Sequence, residues 1–194
     1  GMSFGQVLQE LAVGIREWAR SESRRPFVPA LLWQVFLLVL VVQVWLAVTY
    51  YRDTVTRVSV AELAAFLEVP AGILIMSFLL REARFDSAGE LSAEGAFDRV
   101  RPIFFGLLIG IIAVNLLHGF LIGQQGLDLD LLFQGLLVAG AMVGLLLHRG
   151  AADSVLAVTM IAVVAIYIGL AYSTVDVKSA DAAAPALTAD RLAL

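Results

Sequence analysis

Residues 58–80 read VSVAELAAFLEVPAGILIMSFLL. At ~1.5 Å per residue this apolar run is long enough to cross the ~30 Å hydrocarbon core of a bilayer, so it predicts a membrane-spanning helix. Glu68 falls near its middle. A carboxylate at that depth costs about 3 kcal/mol even on insertion scales, so it needs a partner or a task. Two residues on, Pro70 removes a helical hydrogen bond, and Gly72 leaves room for a neighbouring helix. Ser59 and Glu62 stand at capping-box spacing and close the start of the helix.

The rest of the chain agrees with this reading. Of 194 residues, 60% are hydrophobic and 15% charged, with a mean hydropathy of +0.90. Soluble domains sit near ~45–50% apolar and ~25% charged, so the composition belongs to the membrane class. The net charge of −4 is spread without a basic stripe, which argues against nucleic acid as a partner. The sequence has no cysteine, and so no disulfide, thiolate metal site or cysteine nucleophile. Gly1 ahead of Met2 reads as a remnant of tag removal. The first apolar run is too long and too far in for a cleaved signal peptide, and is expected to stay as an anchor.

The fold expected is all-α: a bundle of five transmembrane helices at 29–50, 58–80, 103–123, 131–147 and 155–172. Residues 81–102 form a loop between the second and third. Nine of the 13 basic residues fall on one face: Arg16, Arg20, Arg24, Arg25, Arg81, Arg84, Arg99, Arg101 and Arg149. Arg52, Arg57, Lys178 and Arg191 fall on the other. The positive-inside rule then puts the N-terminus and the 81–102 loop in the cytoplasm and the C-terminus outside.

Ahead of the first span, residues 3–22 carry Phe4, Val7, Leu8, Leu11, Ile15 and Trp18 at helical spacing, with Gln9, Glu10, Arg16, Glu17 and Arg20 largely elsewhere. This predicts an amphipathic helix on the cytoplasmic surface, with membrane lipid against its apolar stripe or the protein's own loops in place of lipid. Residues 173–194, Ala-rich with one proline, are expected to form a flexible extracytoplasmic tail.

Polar residues inside the spans converge on one level. Counted from the cytoplasmic ends at ~1.5 Å per residue, Glu68, Asn115 and Tyr167 lie at ~18 Å, Gln134 at ~20 Å, and Gln43 and His118 at ~21–22 Å. These six form a candidate intramembrane polar site centred on Glu68. Taken singly, Asn and Gln are as readily interhelical glue, at about 0.6 kcal/mol each. Gln34, nearer the cytoplasmic edge, is expected to be reached by water or loop groups. Gly106-xxx-Gly110 and Gly140-xxx-Gly144 make smooth strips for helix packing within or between subunits.

Several chemistries are excluded. His118 and His148 are separated by roughly 20 Å along the membrane normal, too far to ligate one haem. No zinc-protease, phosphate-loop, nucleophile-elbow or EF-hand motif occurs. No cofactor, metal or catalytic activity is therefore expected.

The segment from Arg25-Pro-Phe-Val-Pro-Ala-Leu-Leu-Trp33-Gln to Gln43-Val-Trp45, with Leu67-Glu-Val-Pro70 ahead of the rest of the second span, resembles the opening of a group of uncharacterised small multi-pass inner-membrane proteins of proteobacteria. The resemblance covers the first two spans and implies a bacterial inner-membrane location, without a function. The function expected from the residues is transporter- or channel-like, with the polar layer handling a proton, cation or small solute. Five helices rarely enclose a pathway alone, so a homo-oligomer is expected. The alternatives are a non-catalytic subunit or assembly factor, docking protein partners at its cytoplasmic face, and a lipid- or quinone-binding protein.

Overall fold

Apolar segments in lipid must satisfy every backbone N–H and C=O internally, and a helix does so within one segment. The computed structural model describes residues 2–20, 27–52, 60–81, 83, 92–122, 129–146 and 150–172. Among these there are six helices and no strand: α1 (Met2–Arg20), α2 (Val28–Arg52), α3 (Val60–Arg81), α4 (Ala93–Ile122), α5 (Leu129–Leu146) and α6 (Gly150–Ala171). Four stretches are long and apolar enough to cross a membrane: Val28–Thr49, Ala93–Leu117, Leu129–Leu146 and Ala151–Ala171. α3 carries Glu68 and Pro70 within its length.

Helices α2 to α6 each pack on their neighbour in chain order, and α6 closes back onto α2, so the five form a ring. α1 packs across α2 and α3. The ring is filled rather than hollow at the level of Trp33. The indole of Trp33 meets Phe36, Phe104 and Phe105 edge-on at centroid distances of 5.3, 5.5 and 5.0 Å, and all four side chains are fully buried. Such edge-to-face pairs contribute about 0.5–1.5 kcal/mol each beyond area burial.

Gln34 is fully buried, because the side of α2 that carries it faces protein, so water does not reach it. α4 begins at Ala93, inside the segment read as loop. Its start is capped by Ser92, whose Oγ accepts from the Gly95 N–H at 3.2 Å, and Glu94 favours the positive helix end. Pro102 lies inside α4. The apolar stripe of α1 is split. Val7 is buried with Glu10 and Gly14, while Phe4, Leu8 and Ile15 remain exposed. The Trp18 side chain, the Ser59–Glu62 capping pair and the 173–194 tail lie outside what is described.

Candidate functional site

Glu68 is half-buried on α3, eight residues after its first. It lines a groove between α3 and α4 of about 290 Å³, with Ala71, Gly72 and Ile75 on one wall and Gly106, Leu107, Gly110 and Ile111 on the other. α3 and α4 approach closely at Gly72 and Ile111, within the groove itself. A Cβ on Gly72 would fall on the Ile111 side chain. On the opposite wall, a Cβ on Gly106 or Gly110 would meet nothing within 4 Å. The strip is therefore open, and among the described residues Glu68 is the one ionisable residue lining it. No described residue hydrogen-bonds or pairs with the half-buried carboxyl.

The other polar residues go elsewhere. Tyr167 donates from its hydroxyl to Asp130 at the start of α5, and its ring stacks on Phe133 at 4.0 Å and 10°. Gln134, one residue on, is buried, and its Oε1 has no partner among the described residues. Gln43 is half-buried on α2 and Asn115 is exposed on α4; neither lines the groove. The side chain of His118 lies outside the described residues. Gly140 and Gly144 serve contacts within the chain. A Cβ on the first would strike Met160 of α6, and on the second the Phe105 ring of α4.

A second polar cluster escapes a reading of the sequence. Arg101 of α4 and Asp153 of α6 are both almost fully buried and paired bidentately, Nη1–Oδ1 at 2.8 Å and Nη2–Oδ2 at 2.5 Å. Nη1 also donates to the Gly144 carbonyl of α5 at 3.0 Å. Nε donates to Asp98 Oδ1 at 3.1 Å, and the guanidinium lies 4.9 Å from the Phe97 ring centre. Bidentate geometry and extra acceptors are what a buried pair needs to offset its desolvation. Loop-by-loop counting treats Arg101 only as a topogenic cation. The usable signal was opposite charges two residues ahead of the apolar runs that begin at 103 and 155.

Among the described residues there is no cluster of three or more His, Cys, Asp or Glu able to hold a metal. Apolar helices of spanning length around a packed interior make this an integral membrane protein of the all-helical class. Comparison with protein-family models, with curated proteins and with solved structures gives no match.

Proposed function

We propose that the chain is a small, non-catalytic transporter- or channel-like protein of the bacterial inner membrane, in which Glu68 handles a proton, cation or small solute. In this reading α3 is a fifth span, the N-terminus is cytoplasmic and the C-terminus extracytoplasmic. The carrying observation is the Glu68 carboxyl, set against an open groove between α3 and α4 with no partner among the described residues. A carboxyl that only glued helices together would be expected to face one of them. The packed aromatic interior at Trp33 argues against a conduit through a single ring. Closing the Gly106/Gly110 wall with another copy would place Glu68 on a path between subunits, so the active form is a homo-oligomer.

The test is flux in liposomes. Glu68→Gln keeps side-chain size but exchanges no proton, so it should abolish a pH-dependent proton or cation flux that the unaltered protein supports. Unchanged flux would sink the proposal.

The apolar lining of the groove favours a second reading, in which a lipid- or quinone-like amphiphile lies there with its polar end at Glu68. Co-purification of such a molecule, lost on Gly106→Leu without change in oligomer size, would favour that reading.

A further inference from the structure

We propose that α1 docks on the membrane surface through the row Phe4, Leu8 and Ile15, its occupant being the headgroup–acyl boundary of the leaflet where α2 and α3 leave the bilayer. This surface is separate from the Glu68 groove and does not depend on its role, though it rests on the reading of α3 as a span.

The row is the part of α1 that the protein leaves bare. α1 turns Val7, Glu10 and Gly14 inward, and Val7 joins the same buried cluster as Ala30 of α2 and Leu80 of α3. Glu10 accepts from Gln6 Nε2 at 3.4 Å and lies 3.9 Å from Arg81 Nη1, the last residue of α3. These contacts fix α1 against the ends of two helices, one of them of spanning length. Phe4, Leu8 and Ile15 lie roughly 100° further round the helix, at 41%, 44% and 50% exposure. Gln9 and Arg16, both exposed, lie roughly 100° beyond that row. The surface of α1 thus has three sectors: one covered by protein, one bare and apolar, one bare and polar.

Lipid is the occupant that the surroundings supply. Val28 at the start of α2 is also exposed, as is Phe78 of α3, three residues before the Arg81 that meets Glu10. Exposed apolar side chains on a spanning helix face hydrocarbon, and α2, on which α1 packs, is of spanning length, so lipid is the apolar phase available to the bare sector of α1. Arg16 on the polar side is placed for headgroup phosphate, the usual arrangement of an interfacial helix.

The absence of cysteine makes the test direct. Single cysteines at Leu8, Ile15 and Gln9 of the full chain would carry nitroxide labels in phosphatidylethanolamine–phosphatidylglycerol vesicles. All three side chains are exposed, so the labels leave the packed face of α1 intact. Labels at Leu8 and Ile15 should collide with dissolved oxygen and be shielded from an aqueous nickel chelate, with the order reversed at Gln9. Chelate access at Leu8 and Ile15 equal to that at Gln9 would put the row in water and overturn the proposal. Shielding of Leu8 and Ile15 from both relaxants would mean that protein covers the row, which overturns it equally.

Discussion

Arg101 and Asp153 meet end to end through two hydrogen bonds, 52 positions apart in sequence, and join the N-terminal portions of α4 and α6 across α5. The Gly144 carbonyl completes the bridge, and it is reachable because a glycine there lets the Phe105 ring of α4 lie against the α5 backbone. One small residue thus serves both packing and polar satisfaction, and three neighbouring helices of the ring are tied at a single point.

Removing one member of this pair should be costly. Asp153→Asn leaves the guanidinium with a neutral partner that cannot accept at both atoms, and Arg101→Ala leaves a buried carboxylate. Breaking a buried pair costs about 3–5 kcal/mol. Thermal unfolding in mild detergent should show a large loss for either variant. The double replacement Arg101→Met with Asp153→Leu should recover much of it, since the charges are then gone together. Single variants as stable as the unaltered protein would mean that the pair contributes nothing net.

The glycines should divide into two classes. Gly144→Ala places a methyl group on the Phe105 ring, and Gly140→Ala one on the Met160 side chain. The rigid ring cannot yield, so Gly144→Ala should destabilise by about 1–3 kcal/mol, whereas flexible Met160 absorbs part of the strain. Gly106→Ala and Gly110→Ala meet open space and should gain up to about 1 kcal/mol from helix propensity. Detergent melting curves for the four variants check the ordering. A Gly106→Ala protein less stable than Gly144→Ala would contradict it.

Topology is tested by cysteines introduced singly at Ser87 and Gln125. The two positions flank α4; with α3 also a span and the N-terminus cytoplasmic, a membrane-impermeant maleimide added outside intact cells should label only the cysteine at position 125. Labelling of position 87 alone would overturn α3 as a span in that orientation, and labelling of both would mean that α4 does not cross.

What the sequence made legible followed from hydrophobic length. The 29–50 run becomes α2, and the 131–147 and 155–172 runs become α5 and α6 with ends shifted by a few residues, because twenty or so apolar residues have one favourable solution in lipid. What stayed hidden depended on which face each helix turns inward. Periodicity identified the α1 stripe, yet not that Val7 packs on protein while Leu8 is bare. Depth arithmetic placed Tyr167 level with Glu68, but depth carries no azimuth, and the hydroxyl of Tyr167 goes to Asp130. Arg101 was hidden because a cation at the edge of a span reads as a topology marker until its partner on another helix is known.

Stability and activity should separate at Glu68. The half-buried side chain has no hydrogen-bond partner among the described residues, so replacing it with Leu strands no donor and removes a group that is costly in hydrocarbon. Glu68→Leu should therefore leave the detergent melting temperature unchanged or raised, with oligomer size preserved. That is the reverse of Asp153→Leu alone, which strands Arg101 and should unfold readily. The contrast isolates the role of Glu68 from any role in packing. A Glu68→Leu protein that melted as early as the Asp153 variant would show the carboxyl to be an interhelical tie. A stable Glu68→Leu protein that lost pH-dependent flux in liposomes would leave proton or cation handling as the reason for an acid at that depth.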